Sequence, residues 1–92
     1  MKIGLLVAPW LPVPPKAYGG IEHAVDVLAR GLAELGHEVH LHATSDSTCP
    51  VRRSATFGSA PRWRMGHSSL EMRQVIDGYE RLGDCNIIHD HT

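Results

Sequence analysis

The stretch KIGLLVAPWLPVPPKAYGGIEHAVDVLARGLAELGHEVHLHA, residues 2–43, decides the fold of this chain. Residues 2–8 form an apolar run, which predicts a strand buried on both faces of a parallel sheet. A proline-rich loop and a helical segment follow, and then a second strand at 38–43 in which apolar and polar residues alternate. Strand, helix and strand within about forty residues predict a right-handed βαβ unit with parallel strands.

The first helix is predicted to begin at Ile21 and to stop at Gly36, because glycine is common just beyond the last helical turn. Its apolar stripe is expected at Ile21, Val25, Leu28, Leu32 and Leu35. The opposite, solvent-facing side is expected to carry Glu22, Asp26, Arg30 and Glu34. Asp26 and Arg30 stand four residues apart, acid before base, and are expected to form an ion pair on that side.

The second half of the chain is expected to add a strand, a helix and a further strand. A short strand is placed around residues 53–57, and Ser68-Ser69-Leu70-Glu71 has the form of a capping box that opens a helix ending at Gly83. The apolar face of that helix is expected to comprise Leu70, Met72, Val75, Ile76, Tyr79 and Leu82. Gly78 lies inside it, at a cost of about 1 kcal/mol relative to alanine. Residues 86–89 predict a last strand, and the whole pattern predicts a Rossmann-like, open parallel α/β sheet.

Size and composition exclude several classes of protein. The 92 residues, 42% of them hydrophobic, can bury one modest core. A net charge of −1 gives no global electrostatic case for binding nucleic acid or a membrane surface. No run approaches the ~20 apolar residues of a membrane span, and prolines follow the first strand too closely for a signal peptide, so we expect a cytoplasmic protein. Cys49 and Cys85 are expected to be free thiols.

The first candidate site is the loop from Pro9 to Gly20. It follows a strand and ends in Gly19-Gly20 at the start of a helix, where unpaired N–H groups and the helix dipole favour anions. It contains neither a G-x-G-x-x-G fingerprint nor a P-loop. A carboxylate in the first turn repels a phosphate placed too near, so Glu22 is expected to point away from any bound anion. The alternative, that the glycines form only a flexible turn into a core helix, is equally compatible with the residues.

The second candidate site is His89-Asp90-His91, at the end of the last strand and on the same sheet edge as the glycine loop. Residues two apart on a strand face the same side, so His89 and His91 can point together at a ligand. Three roles remain open, namely hydrogen bonding to substrate hydroxyls, a structural role at the strand end, and metal ligation. Metal ligation is the least favoured, because three consecutive residues rarely supply three ligands to one ion. His40 and His42 also share a face of their strand.

Three motifs carry a resemblance to a known family: Y-G-G-I-E at 18–22, L-G-H-E-V at 35–39 and I-I-H-D-H-T at 87–92. In this order and spacing they resemble the N-terminal domain of GT-B glycosyltransferases, and most of all the retaining family 4. The resemblance is good for residues 1–49 and 85–92 and loose between them. It implies transfer of a sugar from a nucleotide-diphosphate sugar to an acceptor hydroxyl, without a metal or another cofactor.

The resemblance also implies roles for particular residues. Gly19 and Gly20 are expected to approach the donor diphosphate. The cleft on the acceptor side is expected to be lined by Tyr18, His89, Asp90 and His91. The resemblance identifies no catalytic residue in this chain.

The resemblance further implies that residues 1–92 form part of the acceptor-side domain, and that the donor-binding C-terminal domain is absent. We therefore expect the 92-residue chain to be inactive by itself. We also expect it to self-associate, because Ile87 and Ile88 point to opposite faces of a last strand that no later helix covers. Two other classes remain open: a small flavodoxin-like module that binds a phosphorylated ligand without catalysis, and a histidine-based metal-binding or interaction protein.

Overall fold

The computed structural model of the chain describes residues 1–60 and 65–92. The elements in this part are β1 (Lys2–Leu6), α1 (Gly20–Glu34), β2 (Glu38–His42), β3 (Arg52–Ser54), α2 (Ser68–Arg81) and β4 (Ile87–Asp90). All four strands are parallel and lie in the order β3-β2-β1-β4. Neither of the two described helices is long and apolar enough to cross a membrane. The predicted α/β class with a parallel sheet is confirmed, and the strand order is compatible with a Rossmann-like open sheet.

The two helices lie on opposite faces of the sheet. Ile3, Leu5 and Val7 point to one face, where they form a core with Val25 and Ala29 of α1. Successive strand residues point to opposite faces, so Gly4 and Leu6 point to the other one. That second face is covered by α2 and the residue after it: Leu6 approaches Gly78, and Gly4 approaches Leu82. Both faces of β1 are therefore buried, as its apolar run predicts.

The predicted apolar stripe of α1 is confirmed in its middle and wrong at its two ends. Val25 is buried, and Leu28 and Leu32 are partly buried against the core. The buried residues of the helix are Glu22, Val25, Asp26 and Ala29. Ile21 and Leu35, assigned to the apolar stripe, are 55% and 77% exposed. The expected solvent face was wrong for Glu22 and Asp26, because the buried side of the helix also includes Ala29 and extends beyond the predicted stripe. The ion pair is confirmed, with Arg30 Nε 3.0 Å from Asp26 Oδ2.

α2 also departs from the expected pattern at its start and along its length. The expected capping box was wrong: the helix begins at Ser68 itself, and the preceding His67 makes no side-chain capping hydrogen bond among the described residues. The buried positions are Leu70, Gln74 and Gly78, followed by Leu82 just beyond the helix. Three residues of the expected apolar face are largely exposed, namely Met72, Ile76 and Tyr79.

Close packing explains why the buried side of α2 differs from the predicted one. A Cβ at Gly78 would lie 2.5 Å from Leu6 Cδ1, so the absence of a side chain lets α2 lie directly on β1. One turn earlier, Gln74 Nε2 donates to the carbonyl of Val7 at 2.9 Å. A glycine and a hydrogen-bonded glutamine thus occupy the interior side of the helix, where a hydropathy pattern places apolar residues.

Gly78 and Gly31 allow a matched test of this packing, because both lie inside a helix. Alanine at 78 would bring Cβ within 3.2 Å of His42 Cδ2 as well as against Leu6, whereas a Cβ at Gly31 meets no described atom within 4 Å. Overpacking costs about 1–3 kcal/mol and outweighs the gain of about 1 kcal/mol from replacing a helical glycine. We expect Gly78→Ala to lower the free energy of unfolding by about 1–2 kcal/mol, and Gly31→Ala to raise it by about 0.5–1 kcal/mol.

Urea unfolding followed by circular dichroism measures both changes. Equal stabilisation by the two alanines would show that α2 does not lie against β1 at Gly78.

Candidate functional site

The loop after β1 crosses the carboxyl end of the sheet and is tied down at Val13. The N–H of Val13 donates to Ser47 Oγ at 2.9 Å. Its carbonyl accepts from the N–H groups of Thr48 and Cys49, both at 3.0 Å. Since the Val13 side chain is fully buried, this part of the loop belongs to the core. The loop therefore has a defined path from β1, over the segment that follows β2, to the start of α1.

The two glycines at the end of the loop have different environments. Gly19 has a φ of 148°, a conformation that L side chains rarely adopt. A Cβ there would lie about 3 Å from Leu11, Pro15 and Glu22. Gly20 is the first residue of α1 and is exposed, and an added Cβ would meet no described atom within 4 Å. The backbone conformation and the close neighbours therefore require a glycine at position 19. Of the two, only Gly20 leaves open space that a ligand can enter.

The start of α1 carries backbone N–H groups that no side-chain cap engages among the described residues. The carbonyl of Gly19 accepts the first helical bond, from the N–H of His23 at 2.9 Å. The preceding N–H groups have no partner within the helix. The Glu22 carboxylate lies beside Gly19 and beyond 4 Å of the Cβ position at Gly20.

The end of β4 lies at the same edge, because β4 pairs in parallel with β1. The rings of His89 and His91 meet edge to face with centroids 4.3 Å apart, which confirms that the two share a side. His91 Nε2 is buried and has no hydrogen-bond partner among the described residues. Burial lowers the pKa of His91, and the neighbouring His89 adds to the effect. A neutral imidazole with an unsatisfied nitrogen therefore lies at the carboxyl edge.

Asp90 does not join the two histidines. Its carboxylate accepts hydrogen bonds from Tyr79 Oη at 2.8 Å, Thr92 N at 2.9 Å and Thr92 Oγ1 at 2.6 Å. Asp90 thus faces α2, on the other side of the strand from His89 and His91. The consecutive triad does not converge on one point, which argues against metal binding by all three residues. Tyr18 is 74% exposed on the glycine loop.

A partly buried polar network lies on the α2 face. The sequence indicated only that His40 and His42 share a side of their strand, and it did not indicate their partners. Ser54 Oγ lies 3.0 Å from His40 Nε2 and 2.8 Å from His42 Nδ1. His42 Nε2 lies 2.9 Å from Thr56 Oγ1, which donates to Asp77 Oδ2 at 2.7 Å. The repeated histidine spacing in H-L-H was the sequence signal, but its partners come from β3 and α2.

The carboxylate at one end orients every hydrogen bond in this network. An ionised Asp77 only accepts, so Thr56 donates to it and accepts from the Nε2–H of His42. His42 Nδ1 then accepts from Ser54 Oγ–H, and Ser54 accepts from the Nε2–H of His40. Burial lowers the pKa of both histidines, which favours these neutral forms. His40 Nδ1 is left as a bare acceptor, and it has no partner among the described residues.

No protein-family model matches the sequence, and no curated protein is significantly similar to it. The resemblance to GT-B glycosyltransferases therefore depends on the three short motifs. The parallel sheet brings two of those motifs, the one around Gly20 and the one at the end of β4, to the same edge.

The buried histidines predict stability that is lost in acid. Burial lowers the pKa of the fully buried His42 from its ordinary value of 6.5, although Asp77 opposes this. The unfolded chain therefore binds protons at a higher pH than the folded chain. The contribution to stability is complete above that ordinary value and is lost as the pH falls from there through the lower folded pKa. We expect the free energy of unfolding in metal-free buffer to fall between about pH 7 and about pH 5.

Urea titrations across this range provide the measurement, with His42→Gln and the exposed His67→Gln as a pair. The first variant should show a shallower dependence on pH, and the second should follow the parent chain. The same slope for parent and His42→Gln would contradict a buried neutral imidazole at this position.

Proposed function

We propose that this chain forms the N-terminal, acceptor-side part of a retaining GT-B glycosyltransferase. The complete enzyme transfers a sugar from a nucleotide-diphosphate donor to an acceptor hydroxyl. The observation that carries the proposal is the open backbone surface at Gly20, where an uncapped helix start meets the carboxyl edge of a parallel sheet. Ligands of open α/β sheets bind at that edge, and the resemblance assigns the donor diphosphate to this glycine pair.

The role of Gly20 follows from the charge that develops in the reaction. As the bond between sugar and diphosphate breaks, negative charge accumulates on the departing phosphate oxygens. Backbone N–H groups and the positive end of the α1 dipole stabilise that charge without any metal ion. Gly20 permits the approach because it has no side chain, while Gly19 shapes the turn that presents it. The remaining donor contacts belong to the second domain that the resemblance implies.

The acceptor is assigned to the side of the cleft at the end of β4. A neutral imidazole can donate from one ring nitrogen and accept at the other, which suits a sugar hydroxyl. His89 is exposed at this edge, and the ring of His91 lies beside it. Tyr18 on the loop adds an exposed aromatic ring. These groups bind and orient the acceptor; none of them is assigned as a catalytic base.

Gly20→Val in the complete enzyme tests the proposal directly. The added side chain enters space that no described atom occupies, so the fold should tolerate it while a phosphate is kept away from the helix start. We expect kcat to fall by about 10²–10³, the effect of losing one oxyanion-type contact. The thermal midpoint should change little. Steady-state kinetics with a nucleotide sugar and a thermal melt give the two quantities.

Two matched variants separate the ligand effect from helix propensity and turn strain. Gly31→Val adds the same β-branched side chain to α1 in an open position and should leave kcat unchanged. Gly19→Ala should lower stability as well as activity, because of its positive φ and crowded surroundings. Near-normal turnover of Gly20→Val, or equal losses of activity in Gly20→Val and Gly31→Val, would assign the glycines to a structural turn.

The proposal also requires a donor-binding domain. Sequencing the gene downstream of codon 92 should reveal an in-frame continuation that encodes it, and the isolated chain should show no transfer with any nucleotide sugar. A stop codon at that point, combined with tight binding of a phosphorylated ligand by the isolated chain, would favour the flavodoxin-like binding module instead.

A further inference from the structure

A second cluster of chemically active side chains lies at the amino edge of the sheet, opposite the glycine loop. A ring nitrogen of His40, Sγ of Cys85 and a carboxylate oxygen of Asp84 all lie within 4.8 Å of one another. They share a cleft of about 230 Å³ whose other lining residues are Lys2, Glu38, Val39 and Arg52. Neither the glycine loop nor the end of β4 contributes to this cleft.

The fold holds these three residues in place. Gly4 of β1 pairs with His40 of β2, and the Cβ position of Gly4 lies only 3.2 Å from Cys85 Sγ. The missing side chain of Gly4 therefore makes room for the thiol beside the imidazole. The turn before β4 is fixed as well, because the N–H of Cys85 donates to the carbonyl of Leu82 at 3.0 Å. All three groups thus belong to ordered backbone of the sheet and its connecting turn.

The hydrogen-bond network described above prepares His40 as a ligand. Its Nε2–H is committed to Ser54, so the free nitrogen is Nδ1, and that nitrogen carries a lone pair. A buried acceptor without a partner is unfavourable, and Nδ1 of His40 is such an atom among the described residues. His40 as a whole is only 6% exposed. Metal-bound histidines commonly donate their other N–H to an oxygen in this way.

From this geometry we infer that His40, Asp84 and Cys85 bind a transition-metal ion, with Zn²⁺ the best match. One imidazole nitrogen, one thiolate and one carboxylate form a donor set typical of zinc, and the fourth tetrahedral position is left for water. Zinc ligands lie about 2.0–2.3 Å from the ion, so the three groups need to close by about 1 Å at most.

The surrounding charges are compatible with a cation. Lys2 and Arg52 are balanced by Glu38 and Asp84, and ionisation of Cys85 adds one further negative charge. Lys2 Nζ holds Asp84 Oδ2 at 3.0 Å, which leaves the second carboxylate oxygen for an ion. A cysteine binds a metal ion as the thiolate. Binding must therefore release its proton, and the affinity rises with pH.

The bound ion would connect parts of the chain that are distant in sequence. It links β2, through His40, to the turn between α2 and β4, through Asp84 and Cys85. The connection passes over β1 at Gly4. The consequence is a metal-dependent attachment of β4 to the rest of the sheet, at the edge away from the proposed donor site.

Titration of the purified, metal-free 92-residue chain with Co²⁺ tests the inference. Cobalt replaces zinc in such sites and reports a bound thiolate by sulfur-to-metal charge-transfer absorption. We expect saturation at one ion per chain, tetrahedral d–d bands, displacement by Zn²⁺ and release of about one proton per ion. Zn²⁺ should also raise the thermal midpoint of the chain.

Variants assign the signal to the three ligands. Cys85→Ser should abolish the charge-transfer band, and Asp84→Asn, an exposed position that should not disturb folding, should weaken binding at least tenfold. Ser54→Ala removes the group that orients His40 and should weaken binding about tenfold.

Two controls should leave the titration unchanged. Cys49→Ser changes the other free thiol, which lies in the core on the α1 side, where burial raises its pKa to about 11. His89→Gln removes a histidine from the carboxyl edge. The Gly20→Val variant should also bind Co²⁺ normally, so the metal site and the proposed transferase function can fail independently.

Three results would overturn the inference. One is the absence of a charge-transfer band in a chain whose circular dichroism shows it to be folded. Another is a band that persists in Cys85→Ser. The third is a band that is lost in Cys49→Ser or His89→Gln while Cys85 is intact.

Discussion

Burial of β1 on both faces is the constraint from which the remaining architecture follows. Leu5 and Leu6 are adjacent, point to opposite sides of the sheet and are both fully buried. Each side must therefore be covered by its own helix, and the connections between strands must cross from edge to edge. β1 also pairs with β2 and β4 at once, so both of its ends are flanked by neighbouring strand ends. Every candidate site in the chain lies at one of those ends.

The two edges of the sheet differ in their chemistry. The carboxyl edge offers backbone N–H groups at the start of α1 and a neutral, partly buried His91, a combination suited to an anion and a polyol. The amino edge carries formal charges of both signs on Lys2, Glu38 and Asp84, with a soft thiol among them. The neutral N–H groups and imidazole of the carboxyl edge cost less to desolvate than charged groups do, which suits a large polar ligand. The clustered charges and the thiol of the amino edge suit a small metal ion.

The sequence was sufficient to predict the order and type of the main elements, because apolar periodicity depends on burial and β1, α1, β2 and α2 all bury apolar positions. It was insufficient for the helix faces. Asp26 and Gln74 lie inward, where Asp26 Oδ2 pairs with Arg30 and Gln74 Nε2 donates to the Val7 carbonyl, and such partners cannot be inferred from hydropathy. The short β3 is set by its pairing with β2 rather than by an apolar pattern.

The sites were predictable to the extent that they are local. Gly19, Gly20, His89 and His91 are neighbours in sequence, and parallel pairing alone brings the two pairs to one edge. The distinction between the glycines required their backbone angles and surroundings. The cluster of His40, Asp84 and Cys85 depends on the register between Gly4 and His40, and no spacing in the sequence reveals that register.

The chain of hydrogen bonds from Asp77 to His40 has a direction, and that direction has a consequence. The hydrogen bond from Thr56, and next the charge of Arg81, whose Nε lies 3.4 Å from Asp77 Oδ1, hold the pKa of Asp77 below its ordinary value. Asp77 therefore stays ionised and only accepts hydrogen bonds. Four hydrogen bonds transmit that single polarity from α2 across β3 to β2. The charge of Asp77 on α2 therefore determines which ring nitrogen of His40 carries the proton. A change that neutralises Asp77 would allow donor and acceptor to exchange in all four hydrogen bonds. His40 Nδ1 would then carry a proton and could no longer accept.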